Sequence, residues 1–233
     1  MNRLIFLISA ILVFFLVSVG YSSFMTYYSN KMAKETHDEL DYKDQEHLLL
    51  RQVLDELIAA NDLKYKDYTL KVVPISSEEQ ISFAQVNLGR QVSFSSEFLY
   101  LMKTKQGLAF VMAHEMAHSE LKHLTDIFAL VYGGKQLGSD KKNSFHDKRY
   151  SKSKEFVADA KAVDYLLNTY KDIDIEDVLE MFLVIEVVEE HMFKSGVSEE
   201  EYKKELEKDG SHPDHDSRRK AIKSQIEAFR SSS

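Results

Sequence analysis

The sequence predicts an α+β domain, mainly helical, with one small β-sheet. Two patterns and one quantity predict it. Segments of period-two character occur only between residues 68 and 94, whereas from Ser95 onward the chain reads as helical almost to its end. A length of 233 residues with 44% apolar side chains suits one compact domain with a real core. One small sheet flanked by many helices is the α+β arrangement.

The head comes first. Of 68 charged residues only Arg3 lies among the first 30, and it precedes a run from Leu4 to Gly20 that is apolar apart from Ser9, Ser18 and the glycine. A basic residue followed by an apolar stretch is the pattern of a secretory signal peptide, with Ser18 and Gly20 at the −3 and −1 positions of a cleavage after Gly20. The uncharged stretch Tyr21 to Tyr28 extends the run toward the ~20 residues of an uncleaved anchor. Residues 1–28 are therefore expected to be a signal peptide or a signal anchor, and either places the rest of the chain across a membrane.

Residues 29–66 are expected to pack on the domain as an amphipathic N-terminal helix. Thr36 and Glu39 have capping-box spacing, and Leu50, Val53, Leu54, Leu57 and Ile58 recur at helical period, so the helix is expected over 36–60. The domain proper is expected over 67–233. Tyr68-Thr69-Leu70-Lys71-Val72 alternates and stops at Pro74, a strand; Ile81 to Val86 and Arg90 to Phe94 read as two more strands around an Asn87-Leu88-Gly89 turn. The helical half is interrupted at 133–150 and at Gly210-Ser211-His212-Pro213.

Composition excludes several chemistries. Without cysteine there is no disulfide scaffold, disulfide-linked partner, cysteine nucleophile or thiolate zinc finger. A net charge of −8 argues against nucleic acid as the main partner. The most informative stretch is Ala113-His114-Glu115-Met116-Ala117-His118. Helix residues four apart are separated by only about 40° around the axis, so His114 and His118 can grip one ion. Glu115 lies on an adjoining part of the surface, near enough to polarise a water on the metal but badly angled to bind the metal. The flank Leu108 to Met112 is apolar, and polar groups inside a buried helix are costly unless compensated.

A third ligand has two possible sources. An arrangement with glycine seven and histidine ten residues after His114 is absent, because Leu121 and Leu124 occupy those places. The other uses a glutamate on a second helix with an aspartate four residues later, which Glu155-Phe156-Val157-Ala158-Asp159 fits. Glu155 then completes a His₂Glu site with its fourth position open. Asp159 is placed to accept a hydrogen bond from a ligating imidazole and fix its tautomer.

These motifs resemble the zinc metallopeptidase family that contains the CAAX prenyl proteases and the HtpX-like proteases, a gluzincin family, from about residue 68 to 226. His123 follows the histidine pair at the family's spacing, and Tyr150-Ser151-Lys152 through Glu155, Ala158 and Asp159 to Tyr165-Leu166 resembles its second motif. Ser211-His212-Pro213 with Arg218 resembles its C-terminal element; Ser82-Phe83-Ala84 and Arg90-Gln91-Val92-Ser93-Phe94 resemble the strand pair beside its cleft. The chain departs from the family at Ser82, where asparagine is usual, and at Leu88-Gly89, where Gly-Gly is usual. It also lacks further long apolar runs, which makes it more similar to the soluble or singly anchored bacterial periplasmic branch.

The resemblance implies a zincin-like fold and one zinc ion held by His114, His118 and Glu155, with Glu115 as general base and acid. It implies a second donor for the oxyanion, for which His212 is the candidate, with Arg218 assisting it or anchoring its loop. His212 has two other readings, closing the fourth zinc position in a latent form or packing against its proline turn. His123 is expected to support the site rather than ligate. Arg90, Gln91, Val92, Ser93 and Phe94 are expected to form the sheet edge to which an extended polypeptide substrate adds. The implied function is a zinc-dependent endopeptidase of unfolded or damaged cell-envelope proteins, periplasmic or anchored facing the periplasm. A zinc-stabilised chaperone-like protein with a latent site, or a metal-free anchored scaffold, are the rival readings.

Overall fold

The computed structural model describes residues 23–74, 83–124, 152–194 and 215–232. After helical residues 23–35 come α1 (Gln45–Ala60), β1 (Thr69–Val73), β2 (Ala84–Val86), β3 (Gln91–Ser95), α2 (Ser96–Leu101), α3 (Lys105–Glu120), α4 (Lys152–Thr169), α5 (Ile175–Lys194) and α6 (His215–Ser232). The α+β class expected from the sequence is what this order gives. The apolar head, residues 1–22, lies outside the described residues, as do 133–150 and His212. Among the described residues no helix is long and apolar enough to cross a membrane.

The N-terminal helix differs from expectation at its start. α1 is capped by Asp44, whose carboxylate accepts from the Glu46 N–H at 2.8 Å, and not by Thr36. Thr36 instead closes the preceding helix: its N–H donates to the Met32 carbonyl at 3.1 Å and its hydroxyl lies 3.2 Å from the Ala33 and Gly89 carbonyls. Between the helices Glu39 bridges Lys71 in parallel fashion, and an extended residue cannot also sit in a helix. The apolar face was correctly placed, since Leu50, Val53, Leu54 and Leu57 are fully buried in the same cluster as Phe94, Phe110, Met116, Val163, Phe182 and Ile222.

The sheet has the order β1-β3-β2, with β1 parallel and β2 antiparallel to β3. The expected turn joins β2 to β3: the Arg90 N–H reaches the Asn87 carbonyl at 3.0 Å and the Gln91 N–H reaches Asn87 Oδ1 at 3.0 Å. Such three-residue loops end in a left-handed residue, and here that is Arg90 at φ 59° rather than a glycine. Its buried guanidinium is overdetermined, with Nε and Nη2 on the Asp67 carboxylate at 2.8 and 2.7 Å and Nη1 reaching Ser29 and Asn30 at 3.1 and 3.2 Å. This clamp ties helical residues 23–35 to the sheet.

α3 is the central element. It is buried continuously from Gly107 to His118, as a helix apolar on nearly all sides must be. Thr104 caps it, the hydroxyl accepting from the Gly107 N–H at 3.1 Å. α3 packs on α1, α4, α5 and the short strand β2. Through α4 and β2 it meets the elements that complete the site.

Candidate metal centre

Six side chains from three helices converge. α3 contributes His114, Glu115 and His118; α4 contributes Glu155 and Asp159 one turn apart; the first turns of α6 contribute Arg218. All six are buried. The two imidazoles face each other through Nε2, 3.0 Å apart, and the Glu155 carboxylate lies across both, Oε2 at 3.5 Å from His114 Nε2 and Oε1 at 3.5 Å from His118 Nε2. Among the described residues His114, His118 and Glu155 are a group able to hold a metal, their ligand atoms all within 4.8 Å of one another.

Two observations test whether the residues suit a metal. The first is geometric. Zinc bonds of about 2.0–2.1 Å in a tetrahedron separate neighbouring ligand atoms by about 3.3 Å, and the separations here are 3.0, 3.5 and 3.5 Å. The second is charge. Glu115, Glu155 and Asp159 are three buried carboxylates facing one buried guanidinium, Arg218, which leaves a formal −2 if all three are ionised and the imidazoles neutral. A buried excess of that size needs cations, and one dication supplies them. The residues fit.

Electrostatics without the ion follow the same imbalance. Burial alone would push the His114 imidazole toward neutrality, but Asp159 and Glu155 outweigh it and raise its pKa to about 10. His118 goes the other way, held well below the usual histidine range by burial and by the His114 charge. Burial opposes ionisation of Glu155 and Asp159, yet His114 and Arg218 hold both at about 2. For Glu115 burial prevails: with Glu155 adding to it, the carboxyl is raised to about 7.

Asp159 lies beside the first histidine of the pair. Its Oδ1 lies 2.9 Å from His114 Nδ1, on the side of the ring away from the ligand atom. Arg218 grips the same carboxylate with two bonds, Nε to Oδ2 and Nη2 to Oδ1, both 2.7 Å, while Nη1 stands 3.6 Å from Glu155 Oε2. The guanidinium of Arg218 is thus directed at the acidic residues of α4. His123 lies with Nδ1 2.9 Å from His118 Nδ1.

Glu115 is held differently from the ligands. The backbone N–H of Val86 favours its charged form against burial, and Oε2 is buried with no hydrogen-bond partner among the described residues. No side-chain pattern signals that contact, because β2 makes it with its main chain.

The strand expected to take substrate is corrected. β3 pairs with β1 from Thr69↔Gln91 to Val73↔Ser95 and with β2 from Ala84↔Phe94 to Val86↔Val92, so it lies mid-sheet with both edges used and all five residues buried. Arg90, Gln91, Val92, Ser93 and Phe94 therefore cannot accept a further strand. Arg90 belongs to the clamp on Asp67, and the Gln91 amide donates to the His37 carbonyl at 3.1 Å.

The model of peptidase family M48 matches residues 44–139, from the cap of α1 through both histidines. Over that stretch the chain is similar to peptidase family M48. No curated protein matches it. The M48 match ends before Glu155, Asp159 and Arg218, and the fold brings those three to the histidines independently of it. The match supports a metallopeptidase.

Proposed function

We propose that this metallopeptidase is a zinc-dependent endopeptidase that cleaves unfolded or damaged polypeptides. The observation that carries the reading is Glu115, a buried carboxylate whose Oε2 has no partner among the described residues, beside a His₂Glu cluster and near the β2 edge, which no other described strand pairs. His114, His118 and Glu155 would hold the ion. Zinc supplies Lewis acidity, polarising the scissile carbonyl and making water a stronger acid.

The remaining chemistry falls to the chain. Glu115 takes the proton from the attacking water on Oε2, where no donor of the described residues competes, and delivers it to the leaving amine. The Val86 N–H favours the charged form of that carboxyl. Arg218 and Asp159 hold His114 in one orientation. His212 remains the sequence candidate for a donor to the oxyanion.

β2 replaces β3 as the substrate edge. The Ser95 N–H reaches the Phe83 carbonyl and the Asn87 N–H reaches the Gln91 carbonyl, at 2.9 and 3.0 Å. By antiparallel alternation the backbone groups of Ala84 and Val86 then face away from β3. α3, which carries Glu115, packs on β2, and the Val86 N–H acts on the Glu115 carboxyl, so this edge runs beside the proposed base. Backbone pairing there would impose little side-chain selection, which suits unfolded chains. Export rests on the pattern of residues 1–28; the N-terminal sequence of the mature protein distinguishes signal peptide from anchor.

The deciding experiment compares the zinc-loaded protein with Glu115→Gln on an unfolded protein substrate, with and without a chelator. Wild type digests it, chelation stops digestion, and Glu115→Gln lowers the rate by about 10²–10⁴-fold while retaining zinc. An inactive wild type that binds zinc and substrate favours the chaperone-like reading instead.

A further inference from the structure

The two histidines are backed by partners of different kinds. His114 turns Nδ1 toward Asp159, a carboxylate, while His118 turns Nδ1 toward a second imidazole, that of His123, at 2.9 Å. Continued helix would leave residue 123 about 140° around the axis from residue 118. The chain leaves that path: α3 ends at Glu120, and Lys122 takes the left-handed φ of 60°, a conformation that disfavours residues with a side chain. The turn returns His123 to the helix end, where it is buried with its ring 5.0 Å from that of His118 and inclined at 66°.

Two imidazole nitrogens at hydrogen-bond distance need one donor and one acceptor. The other end of His118 decides which is which. Its Nε2 faces His114 and Glu155, so a neutral His118 that gives the Nε2 lone pair to a metal carries its proton on Nδ1. His123 Nδ1 must then accept, and the proton of His123 resides on Nε2. We infer that His123 is a positioning residue that fixes His118 as the Nδ1–H tautomer, itself held as the Nε2–H tautomer. The inference rests on the metal-centre reading above. It gives the left-handed turn at Lys122 a purpose, and it makes the two ligand histidines unequal, one supported by an anion and the other by a neutral ring.

The experiment has two arms on the full chain. In the first, zinc affinity is measured by competition with a chromophoric chelator for wild type, His123→Asn, His123→Gln and His123→Ala. Asparagine can offer an oxygen near the Nδ1 position and should keep close to wild-type affinity. Glutamine extends its amide toward the Nε2 position, and it and alanine should bind about 10–100-fold more weakly. In the second, ¹⁵N-histidine spectra of zinc-loaded wild type should show His118 protonated on Nδ1 and His123 on Nε2. Unchanged affinity in His123→Ala, no advantage of asparagine over glutamine, or a proton on His123 Nδ1 would overturn the inference. If His123→Ala does not fold, the asparagine–glutamine comparison and the wild-type spectrum still decide. Wild type that takes no zinc sinks the metal-centre reading as well, whereas zinc-binding wild type with indifferent variants sinks this inference alone.

Discussion

Arg218, Asp159 and His114 form a line of contacts across α6, α4 and α3, and each residue type suits its place in it. A guanidinium meets both carboxylate oxygens at 2.7 Å, which a lysine cannot do, and that fixes the plane in which Asp159 presents Oδ1 to His114. The four-residue spacings made His114, His118, Glu155 and Asp159 legible because a helix converts spacing into direction. Arg218 was legible only as a residue of interest, since its distance from the motif says nothing about which way its side chain turns. Asp38 had no signal at all, yet it accepts from Tyr42 Oη at 2.6 Å, the Leu70 N–H at 2.9 Å and Arg51 Nη1 at 3.2 Å. Burial opposes its ionisation, but these donors together hold the carboxyl below the usual aspartate range. A depressed carboxyl stabilises the fold above its unfolded pKa of about 3.9 and loses that contribution as pH falls through the folded value. Asp38→Asn should therefore cost about 1 kcal/mol at pH 7, a modest figure because solvent screens the site. The cost should shrink as the pH is lowered below 4 in urea unfolding; a difference constant from pH 7 to 3 would contradict it.

Among elements, periodicity identified the apolar faces well and their limits less well. Thr36 and Glu39 matched a helix start, but tertiary pairing of Glu39 with Lys71 and of Asp38 with Leu70 competes with helix there and prevails. The strand Arg90 to Phe94 was found within one residue of Gln91–Ser95, while its place in the middle of the sheet was not, because strand order depends on contacts distant in sequence. The seating of α3 was also hidden. Gly107 lies where α3 approaches the start of α5 so closely that an added Cβ would stand 2.8 Å from the Asp177 carbonyl oxygen and 2.8 Å from Thr104 Oγ1. One obstacle is backbone and the other is the hydroxyl that caps the helix, at 2.9 Å from that same carbonyl. Alanine gains about 1 kcal/mol in helix propensity over glycine. Overpacking and a disturbed cap outweigh that, so Gly107→Ala should lower stability by about 1–3 kcal/mol net. Chemical denaturation measures it, and a stabilised variant would show that α5 yields without cost.

For the whole molecule, the site is a charge problem placed inside a core. Glu115, Glu155 and Asp159 sit among residues that pack α3 against α4, and Arg218 neutralises only one of them. Without the cation those carboxylates are offset by protons on His114 and Glu115, which a bound ion would displace, so metal content should govern stability as well as activity. Any ligand that binds only the folded state stabilises it by RT ln(1 + [L]/Kd), about 4 kcal/mol when free zinc is a thousandfold above its Kd. For a chain of 233 residues each kcal/mol moves the melting temperature by roughly 2–4 °C, so saturating zinc should raise it by roughly 8–16 °C. The control is His118→Ala, which removes a ligand atom while leaving Asp159 and Arg218 paired. Its melting temperature should respond far less to zinc than that of wild type. Scanning calorimetry with zinc, with chelator and with zinc restored reads both proteins. Equal shifts in wild type and His118→Ala would place the stabilising ion elsewhere, and no shift in either would mean that the buried carboxylates are neutralised by protons instead.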